Sequence, residues 1–166
     1  MVSLKQKSGF TIVELLIVIV IIGILAGLVI TTFVGIQQRA RNAERETDIN
    51  SISSQLEGYF AKNGGYPSLN DLNNEGGVDW REGNEIKMGD ADKAMADPTN
   101  GTPELVSAAA ELTAVGQYSY VPTPTGCESP TDETGEPSGT ATPCTGYTLQ
   151  AFREGNAPVI TKESAN

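Results

Sequence analysis

The hydrophobic positions of this chain are concentrated near its N-terminus. Residues 15–30 form sixteen consecutive positions without a charge, and the apolar run resumes through Phe33, Val34 and Ile36 after two threonines. As a helix, residues 15–36 extend roughly 33 Å, the thickness of the hydrocarbon core of a bilayer. The pattern therefore predicts a membrane-spanning helix. No A-x-A cleavage site follows Ile36, so we expect this segment to stay attached to the mature protein.

The helical pattern continues beyond the apolar segment. Apolar or small residues recur at steps of mostly three and four, and charged residues occupy the other faces. Asn63-Gly64-Gly65 is a strong stop signal for a helix. We predict one helix from Phe10 to Asn63, about 80 Å long. A helix of this length does not fit a compact domain of this size, so we expect its first half to be buried outside the domain, whereas its second half packs against the rest of the chain. The positions that carry the second half of the pattern are Ile36, Ala40, Ala43, Thr47, Ile49, Ile52, Leu56, Tyr59 and Phe60.

Beyond Pro67 the chain is rich in Gly, Pro, Asn, Ser and Thr, and its predicted elements are short. Helical structure is predicted over residues 90–96 and 103–112. Two strands are predicted over residues 117–121 and 146–152, with a third near residues 158–161. The residues predicted to share one face of the first two strands are Tyr118, Tyr120, Tyr147, Leu149 and Ala151. The predicted fold class is α+β, a long N-terminal helix followed by a small head with a short antiparallel β-sheet.

Charge separates the two parts of the chain further. The 166 residues carry a net charge of -10 with no histidine, and 19 acidic but only 6 basic side chains follow Arg45. An acidic chain repels polyphosphate, so we expect no direct nucleic-acid binding. Without histidine the chain lacks the commonest general base and metal ligand, which narrows the chemistry open to it. Arg41 can reach Glu44 and Arg45 is next to Glu46, so much of this charge is compensated locally, and a solvated helix face explains it about as well as a partner would.

The two cysteines flank a loop with almost no apolar residues. Cys127 and Cys144 lie between the two main predicted strands, and their spacing is far from the C-x-x-C pattern of a redox site. We interpret them as a structural disulfide, which in the chain-entropy model stabilises the fold by about 3 kcal/mol. Such a bridge also indicates an oxidising compartment for the C-terminal part of the chain.

Residues 71–82 contain a calcium-loop pattern. Side chains with oxygen atoms stand at its positions 1, 3, 5, 9 and 12, with glycine at 6 and an apolar residue at 8. Glutamate at position 5 departs from the usual Asp or Asn, and no flanking helices are predicted. Because chance matches are common in an acidic stretch, we favour a solvated loop rich in Asn and Gly, with calcium binding as the alternative.

A carboxylate stands at the edge of the apolar segment. Placing the charged side chain of Glu14 in the bilayer costs free energy unless the carboxylate is paired or reaches the bilayer interface. In one interpretation, Thr11-x-x-Glu14 is a capping box that begins the helix. In the other, cleavage after Gly9 creates an α-amine on Phe10, one helical turn from Glu14. That cation then pairs with the carboxylate within one chain or between staggered chains.

The residues around this carboxylate carry a family resemblance. Residues 7–19, KSGFTIVELLIVI, resemble the class III signal of the type IV pilin superfamily, which includes pilins and the pseudopilins of type II secretion and competence. The resemblance implies that a prepilin peptidase cuts after Gly9 and methylates Phe10, and that Glu14 pairs with the N-terminus of a neighbouring subunit. Gly23 matches a helix-weakening glycine of the family. Thr31 stands where many members have a proline, which departs from the family pattern.

The resemblance implies a structural role, and we therefore expect no enzymatic activity and no cofactor. The implied partners are prepilin peptidase, identical or related pilin subunits in a polymer, a membrane assembly platform and the lipid bilayer. The implied segments are a leader of residues 1–9, a transmembrane or filament-core helix of residues 10–36, an amphipathic helix of residues 37–63 and an extracytoplasmic head of residues 64–166. In pilins a bridge like that of Cys127 and Cys144 closes a loop on the filament surface, so this loop is a candidate for contact.

Three functions fit these expectations. The first is a subunit of a surface filament for adhesion or motility, and the second is a pseudopilin of type II secretion or DNA uptake. The third, from a different class, is a binding or enzymatic domain that its signal helix merely anchors. The bases at Arg39, Arg41 and Arg45 would by themselves favour the opposite topology. We expect a cytoplasmic N-terminus nevertheless, because a nine-residue leader normally stays there with the peptidase.

Overall fold

The computed structural model describes residues 9–73, 80–88, 90–99, 101, 103–107, 116–139, 142–155 and 158–166. The chain divides into two compact units, one up to Gln38 and one from Arg39 onward, and each is described by itself. One helix, α1, runs over Ile12–Asn63 and contributes residues to both units. This confirms the predicted long N-terminal helix.

The second unit packs its apolar core on one face of α1. The face consists of Ile49, Ile52, Leu56 and Tyr59, each at most 4% exposed, with Phe60 partly buried beside them. These are the predicted core positions. Ala40, Ala43 and Thr47 are instead exposed, because the buried face continues toward the N-terminus through Arg45, four residues before Ile49.

Helix α1 ends where the sequence predicts. Gly64 has a φ of 75°, in the left-handed region that glycine enters without steric cost. Its N–H donates to the carbonyl of Phe60 at 2.8 Å, and the N–H of Tyr66 donates to the carbonyl of Cys144 at 2.8 Å. The chain that leaves the helix is therefore tied at once to the C-terminal cysteine.

A four-stranded mixed sheet completes the second unit, with the strand order β1-β2-β3-β4. Strands β2 and β3 are antiparallel, as are β3 and β4, and this is the predicted antiparallel part. Tyr118 lies opposite Ala151 and Tyr120 lies opposite Leu149, so the predicted shared face is confirmed for these residues. The bounds are Leu105–Val106 for β1, Tyr118–Thr123 for β2, Gly146–Ala151 for β3 and Ile160–Glu163 for β4.

The prediction of a helix over residues 103–112 is wrong where the structure describes them. Leu105 is buried in strand β1, which pairs in parallel with β2, and residues 108–112 lie outside the described residues. The side chain of Asn73 donates to the carbonyl of Leu105 at 2.8 Å and accepts from its N–H at 3.0 Å. These hydrogen bonds to a distant residue hold the backbone of Leu105 in an extended conformation, although the local sequence favours a helix.

Three short helical segments follow α1 in the second unit. Helix α2 spans Leu69–Leu72 and begins at the N-cap Ser68, and helix α3 spans Trp80–Gly83. A 3-10 helix spans Asp90–Met95, close to the predicted helical turn over residues 90–96. Helices α2 and α3 stand at the two ends of the calcium-like pattern, where the sequence predicted none.

All five tyrosines of the chain are buried in this unit. Their hydroxyls bond Thr131, Glu57, Asp48, the carbonyl of Pro67 and Ser53 at 2.5 to 2.9 Å. Burial raises the pKa of each phenol, so the hydroxyls remain protonated donors at neutral pH. Part of the core is thus built from aromatic rings whose polar ends are satisfied. The tyrosines are Tyr59, Tyr66, Tyr118, Tyr120 and Tyr147.

Candidate functional site

The first turn of α1 contains a capping box. The N–H and hydroxyl of Thr11 both donate to Oε2 of Glu14, at 2.9 and 2.8 Å. The N–H of Glu14 donates in return to Oγ1 of Thr11 at 3.2 Å. This reciprocal pair satisfies the helix N-terminus and gives the carboxylate local partners. Gly9 and Phe10 precede it and are exposed. Pairing of Glu14 with a Phe10 amine requires a cleaved chain and stays a prediction.

The apolar side chains that follow are exposed. From Phe10 to Ile36, the large apolar side chains are 51% to 91% exposed. The most apolar 18-residue window of α1 has a mean hydropathy of 3.1 and none of it is buried. A contiguous apolar surface of this extent marks a site of contact with lipid or protein. Helix α1 is long and apolar enough to span a bilayer.

The second unit carries the disulfide between Cys127 and Cys144, whose Cα atoms are 5.0 Å apart. This is the predicted pairing. Within the loop that it closes, the N–H of Glu128 donates to the carbonyl of Thr142 at 2.9 Å, and that of Ser138 donates to the carbonyl of Pro130 at 2.8 Å. The described part of the loop therefore has internal backbone order in addition to the covalent bridge.

Helix α3 packs closely against this loop. A Cβ added to Gly83 would lie 2.0 Å from the carbonyl oxygen of Glu133, so only glycine permits this approach. Asn84 donates to the carbonyl of Asp132 at 2.8 Å, and the indole N–H of Trp80 donates to the carbonyl of Thr131 at 3.2 Å. One side of the loop is thus packed against α3, and its role in contact with other molecules stays a prediction.

A polar cavity of about 320 Å³ lies between α2 and the disulfide loop. Asp71 stands in its wall and accepts hydrogen bonds from the hydroxyls of Ser68 and Ser129, at 2.6 and 2.5 Å. Asp71 is also position 1 of the calcium-like pattern, but residues 74–79 of that pattern lie outside the described residues. Within the described part of the chain, no three His, Cys, Asp or Glu side chains are grouped so that they could hold a metal ion.

A buried arginine joins α1 to two distant loops of the second unit. Arg45 is fully buried, and its Nε and Nη2 donate to the two carboxylate oxygens of Asp97 at 2.6 and 3.0 Å. Its Nη2 also donates to Thr99 at 2.6 Å, and its Nη1 donates to Glu154 at 3.0 Å. Arg41 binds the same Glu154 carboxylate with Nε at 2.6 Å and Nη2 at 2.5 Å.

The acidic partners of this arginine are held ionised. The hydrogen bond from Arg41 lowers the pKa of Glu154 to about 2, against the effect of burial and with help from Arg45. Burial alone would raise the pKa of Asp97, but the hydrogen bonds from Arg45 and Thr99 lower it below its ordinary value. Arg45 is thus compensated by two carboxylates, which makes its burial tolerable.

Of the two explanations left open for Arg41 and Arg45, the solvated helix face is therefore wrong and the partner is correct. Arg45 precedes the buried Ile49 by four residues and so stands on the core-facing side of α1. That spacing was a signal in the sequence that could have identified it. Its partners could not be identified in the same way, because Asp97 and Glu154 lie 52 and 109 residues away.

The N-terminal segment matches a known family model. Residues 4–30 match the model described as the prokaryotic N-terminal methylation motif. The chain carries the prepilin-type signal of the type IV pilin superfamily. The predicted resemblance is thereby confirmed, and the long helix followed by a small mixed sheet is a pilin-like architecture.

Several curated proteins are similar to this chain over part of its length. Type II secretion system core protein G of Dickeya chrysanthemi is 38% identical over 64 residues, which are 39% of this chain and 42% of that protein. The protein of the same name from Pseudomonas aeruginosa is 39% identical over 64 residues, which are 39% of this chain and 45% of that protein. Type IV major pilin protein PilA of Myxococcus xanthus is 36% identical over 79 residues, which are 48% of this chain and 34% of that protein.

The chain therefore spans less than half the length of the curated relatives it matches. No solved structure matches it. Within the prepilin-type signal, the structure brings Thr11 and Glu14 together and leaves Gly9 and Phe10 exposed before the helix. Cys127 and Cys144 are joined in the second unit.

Proposed function

We propose that this chain is the precursor of a structural filament subunit. Prepilin peptidase cleaves it after Gly9 and N-methylates Phe10, and the mature subunit polymerises into a helical surface filament for adhesion or motility. The observation that carries the proposal is the apolar surface from Phe10 to Ile36, which is exposed along the described chain and directly follows the prepilin-type signal. Lipid covers this surface before assembly, and packed helices of other subunits cover it afterwards.

Each segment of the precursor has its own role in this proposal. Residues 1–9 are a leader that is removed, and residues 10–36 are the transmembrane and filament-core part of the helix. Residues 37–63 form the amphipathic part on which the head of residues 64–166 is built. The precursor crosses the membrane once with its N-terminus in the cytoplasm, and the head with its disulfide lies in the oxidising extracytoplasmic space. A membrane assembly platform extracts subunits into the polymer, and the role is not enzymatic.

A pseudopilin role in type II secretion or DNA uptake is the second candidate. It is favoured by the names of the relatives, since those from Dickeya chrysanthemi and Pseudomonas aeruginosa are both type II secretion system core protein G. Both candidates share cleavage, methylation and bundling of the helices. Long filaments on cells with normal secretion of folded exoproteins would support the pilin role, and loss of that secretion on deletion would support the pseudopilin role.

The first experiment determines the N-terminus. The full chain is co-expressed with a prepilin peptidase, and the intact mass of the purified product is measured. We expect a chain that begins with N-methylated Phe10. Gly9→Val should leave the precursor uncut, because a side chain would occupy the position of the cleaved glycine, whereas the control Gly27→Ala should be processed like wild type. Retention of Met1 in the wild-type product would overturn the proposal.

The second experiment separates the two roles of Glu14. Glu14→Gln keeps an oxygen that can accept from Thr11 but removes the charge, while Glu14→Ala removes both. If Glu14 pairs with the Phe10 amine of a neighbouring subunit, electron microscopy should show filaments for wild type and for neither variant. If Glu14 only caps the helix, Glu14→Gln should still form filaments. Glu44→Ala, an exposed carboxylate farther along α1, is the matched control and should assemble normally.

A further inference from the structure

A groove at the start of the second unit combines two guanidinium groups. It has a volume of about 280 Å³ and is lined by Arg39, Asn42, Ala43, Glu46 and Arg153. We propose that this arginine groove binds the phosphate of an anionic phospholipid headgroup while the precursor is in the membrane. The proposal rests on the membrane insertion of α1 in the proposed function and adds a lipid-binding site to it.

The position of Arg39 along α1 is the first argument. Arg39 follows Ile36, the last residue of the apolar segment, by three residues, or about 4.5 Å of helix. When residues 15–36 fill the hydrocarbon core, the headgroup region extends about 5–8 Å beyond each face of that core. Arg39, which lines the groove, is therefore at the level of the lipid phosphates.

The bonding of the two arginines is the second argument. Arg39 is exposed and makes no ion pair with any residue that the structure describes. Nη2 of Arg153 donates to Glu46 at 2.8 Å, its side chain is 25% exposed, and its Nε is buried without a hydrogen-bond partner in the described chain. Since a guanidinium offers five N–H donors, both groups keep donors for a further anion. Arg41 and Arg45, by contrast, are committed to Glu154 and Asp97.

Charge is the third argument. The groove holds two arginines and one glutamate, whereas residues 39–166 as a whole contain 20 acidic and 9 basic side chains. A positive groove on an acidic unit attracts an anion that does not belong to that unit. Guanidinium groups bind phosphate in a planar, bidentate manner, and an anionic bilayer surface concentrates that group at the depth of Arg39. These features favour a lipid phosphate over a carboxylate of another subunit.

The test uses the full-length precursor in nanodiscs that contain equal amounts of phosphatidylcholine and phosphatidylglycerol. Native mass spectrometry counts the lipids of each kind that remain bound after the disc is removed. We expect wild type to retain phosphatidylglycerol preferentially. Because a basic side chain near an anionic surface contributes about a fivefold preference, Arg39→Gln with Arg153→Gln should reduce the retained phosphatidylglycerol by at least about fivefold.

The matched control is Lys62→Gln with Lys162→Gln. It removes two exposed positive charges from the same unit outside the groove and should retain lipid like wild type. An equal loss in this control, or no loss in the arginine variant, would overturn the proposal. Trp80 fluorescence reports whether each variant is folded. If the double arginine variant is not, Arg39→Gln alone breaks no ion pair with the described residues and should still lose about fivefold.

The outcome is independent of the test of processing. An uncut precursor that still prefers phosphatidylglycerol would contradict the filament proposal and leave the lipid site standing. A processed chain without lipid preference would contradict only the lipid site. If Arg39→Gln abolishes filaments while lipid retention is unchanged, the groove binds another subunit and the lipid proposal is wrong.

Discussion

Helix α1 uses apolar residues in two opposite ways. From Ile12 to Ile36 its large apolar side chains are exposed all around the helix, while Ile49, Ile52 and Leu56 in the second unit are buried by the sheet and its loops. The residue types are the same. What differs is that the described residues cover one stretch only, and in the proposed function lipid or neighbouring subunits cover the other.

Charged residues show the same contrast. Glu14 finds its hydrogen-bond partner in Thr11, three residues away. Arg45 finds its partners in Asp97 and Glu154, 52 and 109 residues away. The N-terminal charge is therefore satisfied as soon as the first helical turn forms, whereas the buried arginine is satisfied only when the whole second unit has folded.

The largest expected effect comes from breaking this long-range pair. Arg45→Ala leaves Asp97 buried without its cation and should lower the free energy of unfolding of the second unit by about 3–5 kcal/mol. The measurement is urea unfolding of the full chain in detergent micelles, followed by the fluorescence of Trp80, the only tryptophan. Lys62→Ala, which breaks the exposed pair with Glu85 on the same helix, should cause no measurable change. An unchanged midpoint for Arg45→Ala would contradict the importance of the pair.

A matched pair of leucines tests the two halves of α1 directly. Leu56→Ala removes a fully buried side chain and should lower the same free energy of unfolding by about 2–5 kcal/mol. Leu16→Ala removes a side chain that is more than half exposed and should leave the unfolding of the second unit unchanged. Its effect should appear instead in membrane insertion or filament assembly. If both variants lower the midpoint of the Trp80 transition equally, the two stretches of α1 are not energetically independent.

A smaller effect is expected in the dependence of stability on pH. In the folded protein the pKa of Glu154 is lowered from 4.5 to about 2. The contribution of Glu154 to the free energy of unfolding is therefore complete above pH 4.5 and is lost as the pH falls toward 2. Burial raises the pKa of Asp48, so the contribution of Asp48 has the opposite sign and is lost as the pH rises through its folded pKa. The net loss in acid should therefore be moderate.

Glu154→Gln tests this dependence. The variant should be less stable than wild type at pH 7 and should lose less stability between pH 4.5 and 2, as measured by urea unfolding at a series of pH values. Glu46→Gln removes a carboxylate from the more exposed pair with Arg153 and should keep a wild-type slope. A wild-type slope in Glu154→Gln would show that other carboxylates govern the acid response.

Local sequence patterns were sufficient to predict much of the structure of this molecule. The apolar segment, the capping box at Thr11 and Glu14, the helix end at Asn63 and the antiparallel strands β2, β3 and β4 are all readable within windows of a few residues. Each of these features arises from periodicity, a cap or a turn residue, which act between near neighbours in the chain. The prepilin-type signal is of the same kind, since it is a short continuous motif.

Other features required the tertiary structure. Only the folded second unit buries Arg45 and supplies Asp97 and Glu154 to it, and only the contact with Asn73 and the pairing with β2 make Leu105 a strand residue instead of a helical one. The sequence by itself determined which segment is apolar and where the long helix ends. The tertiary structure decided which charges are buried and which residues change their local preference. Those outcomes depend on partners between 13 and 109 residues away, which meet only on folding.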